Sequence, residues 1–588
     1  MSAEQLITQH INTWTSALQT RSTAGRGNNG KIDLYGIKKL RELILELAVR
    51  GKLVPQDPDD EPASELLKRI AAEKDELVKQ GKIKKQKPLT KITEDEKPFE
   101  LPVGWEWTKL SDAYDVRDGT HDTPKYQSSG YPLVTSKNLS SGKLDLNNIK
   151  YISEKDHIKI NERSFVERND ILFAMIGSIG NPVIVDIDEE FSIKNIALFK
   201  SYKKEFFQPL FIKYVLDNLA KKIKESSSGG VQPFVSLGTL RNLVIAFPPL
   251  SEQIRIVSKL TDLMSLCDQL EQQSLTSLEA HSQLVNTLLA TLTNSQNAEE
   301  LAENWVRISQ HFDTLFTTEA SIDAFKQTIL QLAVMGKLVP QDPNDEPASE
   351  LLKRIEQEKA QLVKEGKIKK QKTLPPVSDD DIPFELPKGW MWARVGDILS
   401  LKNGYAFKSN FFVEFRSKYI LTTPGNFYET GGFRHRGDKT KYYHGPLDEE
   451  FILNPGDLII PMTEQAPGLL GSAAFIPKDE YIYLHNQRLG KIEMYHEGVI
   501  SEFIFWFFNS QLLRTELART CTGTTVRHTS PDRILNALVP VVPSNEQYRI
   551  TEKINNLMLL CDVLKSRLQS AQQTQLHLAD ALTDTALS

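Results

Sequence analysis

The chain has 588 residues, of which 40% are hydrophobic and 25% charged, which is typical of folded globular protein rather than of disordered or fibrous chains. This length exceeds what one hydrophobic core supports, so several domains are expected. The net charge of −6 excludes a uniformly basic nucleic-acid-binding protein, although it leaves room for local basic surfaces.

Cysteine content and hydropathy indicate a cytoplasmic protein. Three cysteines cannot form a disulfide framework, which favours a reducing compartment. The polar N-terminus lacks the basic-then-apolar layout of a signal peptide. The longest apolar runs fall far short of the ~18–20 residues that a membrane span needs.

Two amphipathic helices are predicted near the N-terminus, at 35–50 and 62–80. Pro62 suits the start of the second helix, and Gly81 suits its end. A basic cluster follows this helix; we interpret it as a solvated helix end, with phosphate contact as the alternative. The cluster occurs twice, as Lys82, Lys84, Lys85 and Lys87, and as Lys367, Lys369, Lys370 and Lys372.

An internal repeat organises the chain. The segment 51–89 recurs at 336–374, with a shift of 285 residues and 32 of 39 positions identical. The same shift relates FELPVGWEW at 99–107 to FELPKGWMW at 384–392. This degree of identity indicates duplication.

Two variable segments lie between the repeated blocks, at about 105–247 and 390–541. They still resemble one another, because NDILFAM at 169–175 and GDLIIPM at 456–462 both predict a buried strand that enters a glycine-containing loop. Their net charges are +1 and 0, so the acidity belongs to the rest of the chain. The pattern predicts one fold with two divergent surfaces; drift between two structural copies is the alternative.

Each half also contains a long predicted helix, introduced by SEQIRI at 251–256 and by NEQYRI at 545–550. No proline interrupts either helix, and each should be about 45 residues long. Apolar residues recur at heptad spacing, at Ile256, Leu260, Leu263, Cys267 and Leu270, and at Ile550, Ile554, Leu557, Cys561 and Leu564. We interpret the two stripes as packing on each other in a rod that separates the variable segments. The alternative is that each stripe packs on its own domain.

The sequence contains no recognisable catalytic site. The string GFRHRGDKT at 432–440 approaches a phosphate-binding loop, but Asp438 stands where that loop requires lysine. The string NPVI at 181–184 lacks the second proline and the aromatic residue of an amino-methyltransferase motif. No zinc-ligand spacing is found. We therefore expect a non-catalytic chain that holds no metal and no cofactor.

The whole chain resembles a specificity subunit of a type I restriction–modification enzyme. The resemblance is carried by the repeated frames, the ELPxGWxW entrances, the PPLxEQ exit at 248–253 and the loop DGTHDTPKY at 118–126 followed by YPLVTSKN at 131–138. The GKLVPQDP repeat looks like the long-N-terminus branch of that family. The second exit departs from the pattern, with Pro-Ser-Asn at 543–545.

The resemblance implies an α+β fold, in which two globular α/β target-recognition domains are separated by a pair of long, antiparallel coiled-coil helices related by an internal pseudo-twofold repeat. The target-recognition domains would be 105–247 and 390–542. The conserved regions would be 1–104, 248–389 and 543–588.

The resemblance also implies a function. Each target-recognition domain would bind one half of a bipartite, asymmetric site on double-stranded DNA, while the helices set the spacer. Two methylase subunits using S-adenosylmethionine would dock on the conserved regions, and two ATP- and Mg-dependent motor-nuclease subunits would complete the enzyme. The cofactors belong to those partners, and no membrane is involved. The alternatives are a self-sufficient DNA adenine methyltransferase and a coiled-coil scaffold that does not bind DNA.

Candidate DNA contacts were chosen in polar loops and basic strings, because polar side chains read base edges while lysine and arginine hold phosphates. In the first variable segment they are Thr120, His121, Lys125, Thr135, Lys137 and Asn138. In the second they are Tyr405, Lys408, Arg434, Arg436, Gln465 and Arg527. The alternative for each of them is a solvent-facing loop residue.

Overall fold

The computed structural model describes residues 3–21, 31–86, 89–177, 179–226, 234–368, 371–464, 468–523 and 527–587. The chain forms two compact units. The first comprises 1–18, 34–274 and 575–588, and the second comprises 19–33 and 275–574. Helices and sheets occur in both units, which confirms the mixed fold class.

Helices make up the frame of the first unit. Short helices Ala3–Gln9 and Ile11–Ser16 precede Tyr35–Val49 and Ala63–Lys79, so both predicted helices are confirmed to within a residue at each end. The apolar face of Tyr35–Val49 is buried, as its leucine and isoleucine spacing requires. Gly81, with φ of +72°, adopts the left-handed conformation that commonly ends a helix.

The first variable segment is closed by its own ends, because strand Glu106–Lys109 pairs antiparallel with Val244–Phe247. A four-stranded sheet has the order Asp115–Asp118, Ile196–Lys200, Ile171–Ala174 and Gly180–Ile184, and a three-stranded sheet has the order Lys150–Ile152, Tyr131–Val134 and Ser192–Ile193. The helices are Leu110–Ala113, Glu154–Ser164, Pro209–Ser226 and Leu237–Asn242, with 3₁₀ turns at Ser136–Leu139 and Lys204–Phe206; a further 3₁₀ turn, Glu94–Glu96, precedes the segment.

The second unit repeats this arrangement. A short hairpin, Gln19–Arg21 with Lys31–Asp33, belongs to it. Its frame helices are Ala298–Gln310, Phe312–Leu315, Glu319–Val334 and Ala348–Lys364, followed by a 3₁₀ turn at Asp379–Asp381.

The second variable segment is also closed by its ends, through antiparallel pairing of Met391–Arg394 with Leu538–Val541. Its sheets, in strand order, are Leu399–Asn403, Leu489–Met494, Leu458–Pro461 and Ala474–Phe475; then Phe412–Val413, Tyr442–Tyr443, Tyr419–Leu421, Ile482–Leu484 and Ile452–Leu453; and the pair Thr463–Glu464 with Arg527–His528. The helices are Val395–Ile398, Ser501–Asn509, Gln511–Thr520 and Pro531–Asn536, with 3₁₀ turns at Ser409–Phe411, Pro424–Asn426, Gly437–Lys439 and Glu449–Phe451.

Two long helices have the predicted length: Leu250–Asn294 has 45 residues and Ser544–Leu587 has 44. In the second unit, the stripe of Ser544–Leu587 shares a core with Ile322 and Phe325 of the frame helix Glu319–Val334. In the first unit, Arg41 of the frame helix bonds to Asp268 on Leu250–Asn294. A frame helix is therefore one partner of the long helix in each unit, and mutual packing of the two long helices stays a prediction.

Cys267 and Cys561 lie in these stripes and are buried, as predicted. Burial raises the pKa of each thiol to about 11, so both are protonated at neutral pH. They serve as small apolar side chains in the helix packing. No helix of the described residues combines the length and the apolar character needed to cross a bilayer.

The three repeated sequence blocks meet at one buried carboxylate in the first unit. Glu252 accepts hydrogen bonds from Gln56 Nε2 at 3.1 Å and from Trp105 Nε1 at 2.9 Å. Arg255, one turn further along the helix, forms an ion pair with Asp60 at 2.6 Å. The blocks GKLVPQDP, ELPxGWxW and EQxRI are thus parts of one cluster.

The second unit contains the same cluster. Glu546 accepts from Gln341 Nε2 at 3.0 Å and from Trp390 Nε1 at 2.8 Å. Arg549 pairs with Asp345 at 2.6 Å. The near-identity of the two frames therefore corresponds to one network of hydrogen bonds formed twice.

Candidate nucleic-acid interface

In the first variable segment, two loops flank the end of one short strand. Thr120 N donates to Ile193 O at 3.0 Å, and Asn195 N donates to Thr120 O at 3.1 Å. On the other side, Lys194 N donates to Val134 O at 2.9 Å. We call this surface edge 1, and it comprises residues 119–127, 135–139 and 193–195.

The second variable segment has the same backbone arrangement. Tyr405 N donates to His485 O at 2.8 Å, and Gln487 N donates to Tyr405 O at 2.9 Å. On the other side, Thr422 N donates to Leu484 O at 3.1 Å. We call this surface edge 2, and it comprises residues 404–408, 423–426, 434–436 and 485–487.

A glycine admits the close approach at each edge. A Cβ at Gly119 would lie 2.1 Å from Ile193 O, and a Cβ at Gly404 would lie 2.3 Å from His485 O. These carbonyl oxygens belong to the backbone and cannot move aside without distorting it, so a side chain is excluded at both positions. The two loops therefore leave their sheets in the same way.

A capped turn follows the neighbouring strand at each edge. Asn138 Oδ1 accepts from Thr135 N at 2.9 Å and from Thr135 Oγ1 at 3.0 Å. Asn426 Oδ1 accepts from Thr423 N and Oγ1 at the same two distances. The sequence reasoning missed Thr423 and Asn426, although a shared pattern, Y-x-L-x-T-x-x-N at 131–138 and 419–426, would have revealed them.

Each capping asparagine also holds the chain segment that follows the turn. Asn138 Nδ2 donates to Asp145 O at 2.9 Å, and Asp145 N donates to Asn138 O at 2.9 Å. Asn426 bonds in the same way to Arg434 O at 3.3 Å and accepts from Arg434 N at 2.7 Å. Asp145 and Arg434 therefore occupy equivalent positions, with opposite charges.

All six candidates of the first segment lie at edge 1. Thr135 and Asn138 are engaged in the capped turn, so they shape the surface. His121 lies between Asp118 Oδ2, at 2.9 Å, and Asn195 Oδ1, at 3.1 Å. The candidates Thr120, Lys125 and Lys137 belong to the same surface, and both lysines are exposed without a carboxylate partner among the described residues.

Four candidates of the second segment lie in the loops of edge 2, namely Tyr405, Lys408, Arg434 and Arg436. Arg434 donates from Nε and Nη2 to Gly425 O at 3.2 and 3.1 Å, and its guanidinium lies 5.4 Å from the ring centre of Tyr428. Tyr405 is 46% exposed and belongs to an aromatic cluster with Phe407.

The two remaining candidates lie elsewhere. Arg527 forms an ion pair with the buried carboxylate of Glu464, on the strand pair outside edge 2. Glu464 also accepts from the backbone amides of Leu469 and Leu470, so Arg527 neutralises a carboxylate that binds two backbone amides. Gln465 lies outside the described residues.

One buried residue of edge 2, His485, is uncharged at neutral pH. Burial lowers the pKa of His485 to about 4, and its Nε2 donates to Leu489 O at 3.0 Å. The side chains exposed at the two edges are mainly hydroxyls, amides, imidazoles, aromatic rings and cations, with Asp122 as an exposed carboxylate at edge 1. The cations and polar groups suit binding of a polyanion with polar edges. Among the described residues, no three His, Cys, Asp or Glu side chains converge as a metal site.

Comparison with known proteins gives a consistent result. The family described as "Type I restriction modification DNA specificity domain" matches residues 102–280 and 387–573. The chain is 50% identical to the type I restriction enzyme EcoAI specificity subunit of Escherichia coli and 47% identical to the EcoEI specificity subunit, in each case over 100% of both chains.

Solved structures that this chain matches include one of the type I R-M system and the HsdS subunit from Thermoanaerobacter tengcongensis. The first is 17% identical with a TM-score of 0.45, and the match covers 83% of this chain and 99% of that one. The second is 18% identical with a TM-score of 0.41, and the match covers 83% of this chain and 98% of that one.

Proposed function

Since the chain belongs to the type I restriction–modification DNA specificity family, we propose that edge 1 and edge 2 each bind one half of a bipartite, asymmetric DNA site. The observation that carries this proposal is the duplicated edge, in which equivalent backbone hydrogen bonds at Thr120 and Tyr405 and equivalent capped turns present different side chains. Two surfaces of one architecture but different chemistry are what two different half-sites require.

Divergence within one chain accounts for the asymmetry of the site. A homodimer presents the same surface twice and therefore reads a palindrome. Here the segments that follow the two capped turns differ at equivalent positions, with Asp145 in the first domain and Arg434 in the second, so the two half-sites should differ too. The chain is the recognition subunit of such a system and leaves catalysis to its partners.

DNA, methylase subunits and restriction subunits are the partners of such a system. We propose two methylase and two motor-nuclease subunits for each specificity subunit, and this stoichiometry is supported by the duplicated frame cluster around Glu252 and Glu546. S-adenosylmethionine, ATP and Mg would be bound by those subunits. The long helices Leu250–Asn294 and Ser544–Leu587 would set the unread spacer.

Methylation mapping tests the proposal directly. Genomic DNA from cells carrying the complete system should contain N6-methyladenine in one asymmetric, two-part motif with a spacer of constant length, and deletion of this chain should abolish the modification. A palindromic motif would contradict the assignment of one half-site to each edge. Methylation by the purified chain alone with S-adenosylmethionine would instead favour a self-sufficient methyltransferase.

A further inference from the structure

Edge 2 carries an arginine where edge 1 carries a lysine, although the two side chains come from different parts of the chain. The capping bonds place Lys137 and Gly425 at the same position, the second residue of the turn. A Cβ added at Gly425 would lie 2.7 Å from Arg436 Cζ and 2.9 Å from its Nη1. The Arg436 guanidinium thus fills the space where, in the other copy, the Lys137 side chain begins.

Neither cation is neutralised by a carboxylate within the described residues. Lys137 is exposed and has no side-chain partner there, and the Arg436 side chain makes one long hydrogen bond, to Thr423 Oγ1 at 3.4 Å. Other arginines of the variable segments, such as Arg416 and Arg519, pair with carboxylates. A cation held only by neutral acceptors keeps its charge for an external anion.

We propose that Lys137 and Arg436 are equivalent contacts to the DNA phosphate backbone, supplied by the turn in the first domain and by the following segment in the second. The two half-sites differ in their bases but have the same kind of phosphate backbone. We therefore expect a cation that is present at both edges to contact the phosphates. The position that each capping asparagine holds after its turn differs in charge, because Asp145 in the first domain corresponds to Arg434 in the second. This inference rests on the proposed function and names two of its contact residues.

Salt-dependent binding of the full chain, assembled with its methylase subunits, tests the inference. The probe is a duplex that carries the motif mapped with the wild-type system. Arg436→Ala should weaken binding by about tenfold and reduce the slope of log K against log [salt] by about one, because one phosphate contact is lost. The base preference of the second half-site should stay unchanged, and Lys137→Ala should act in the same way on the first domain.

A matched control and a rescue variant sharpen the test. Arg519→Ala removes the same charge from helix Gln511–Thr520 of the same domain and should change affinity less than twofold. Gly425→Lys in the Arg436→Ala background should restore both affinity and slope, because it supplies the cation from the turn, as Lys137 does. Gly425 does not adopt the left-handed conformation, so a lysine suits its backbone.

Gly425→Ala alone should displace Arg436 and weaken binding while the fold is kept, because the clash is with the end of a flexible side chain. The inference is overturned if Arg436→Ala behaves like Arg519→Ala, if Gly425→Lys restores nothing, or if Arg436→Ala alters base preference with an unchanged salt slope. Absence of salt-dependent binding by the wild-type complex would instead overturn the proposed function, and this inference with it.

Discussion

The buried carboxylate of Glu252 joins three stretches of chain that are far apart in sequence. Only 1% of the residue is exposed, and both Gln56 and Trp105 donate hydrogen bonds to it. Burial raises the pKa of this carboxyl group, so its charged form costs stability above the folded-state pKa, and that cost disappears as the pH falls. The carboxylate of Glu252 supplies the acceptor oxygens that Gln56 and Trp105 require.

Glu252→Gln should therefore destabilise the first unit, even though it removes a costly charge. The NH₂ group of the new glutamine would point at Gln56 or Trp105, each of which is itself an N–H donor. One buried polar group is then left without a partner, which costs about 1–3 kcal/mol. Denaturant unfolding measures the difference in the free energy of unfolding. Glu279→Gln, exposed on the same helix, should change it by less than about 0.5 kcal/mol. Equal stability of the two variants would contradict the role given to the carboxylate.

His485 should make the second unit sensitive to acid. Its folded-state pKa of about 4 lies below the ordinary value of 6.5, so the neutral form is favoured by folding. The contribution of neutral His485 to the free energy of unfolding is fully present above pH 6.5. It is lost as the pH falls through 4, a change of about 3 kcal/mol. His485→Gln should flatten the dependence of the free energy of unfolding on pH in this window. His311→Gln, which is exposed in the same unit, should leave the dependence as in the wild type; identical profiles for all three proteins would refute the prediction.

Among the elements, the first turns of the two long helices combine a buried and an exposed face. Glu252 and Glu546 are buried, whereas the equivalent apolar residues Ile254 and Tyr548 are 53% and 60% exposed. An apolar side chain exposed at the same position of both copies suits a surface that a partner covers twice. We expect the methylase subunits to dock there.

Ile254→Asp and Tyr548→Asp should each remove one of two methylase subunits, because a charge placed in an apolar interface is costly to desolvate. The mass of the co-expressed complex, measured by light scattering, should fall from two methylase subunits per specificity subunit to one. Ser265→Asp, exposed on the first long helix, should retain both. A full complement in the Ile254→Asp and Tyr548→Asp complexes would exclude this docking surface.

For the whole molecule, the distribution of charge is more informative than the net charge of −6. The variable segments are close to neutral, and the acidity belongs to the frames. Each variable segment enters and leaves through one antiparallel strand pair, so its ends are held together by the segment itself. We therefore expect each segment to be exchangeable as a unit.

Exchange of residues 105–247 for the corresponding segment of another family member should change one half of the recognised motif and leave the other half intact. The reason is that edge 1 is built entirely within this segment, while edge 2 is built entirely within the other. Mapping of methylated adenines measures both halves in the same experiment. Reciprocal exchange of 390–542 is the matched control, and a change in both halves after either exchange would contradict the modular assignment.

Much of the architecture could be predicted because its signals are local or repeated. Helices such as Tyr35–Val49 and Leu250–Asn294 follow from apolar spacing and the absence of proline. The candidate site was less accessible. Lys137 and Arg436 were chosen from a polar loop and a basic string, while the role of Arg527 as partner of Glu464, 63 residues earlier, has no local signature. The capped turn at Thr423 did have a signature, which a comparison of the variable segments would have found.

The amino-acid sequence by itself determined the duplication, the divergence of the two variable segments, the family and the long helices, because these depend on residue identity and on spacing within one helix. Only the tertiary structure decided which distant groups meet. Glu252 binds side chains 196 and 147 residues away, and Arg436 occupies the space beside a glycine in a different turn. Such contacts depend on the path of the backbone between them, since loops that flank one strand end come together only after the sheets have formed.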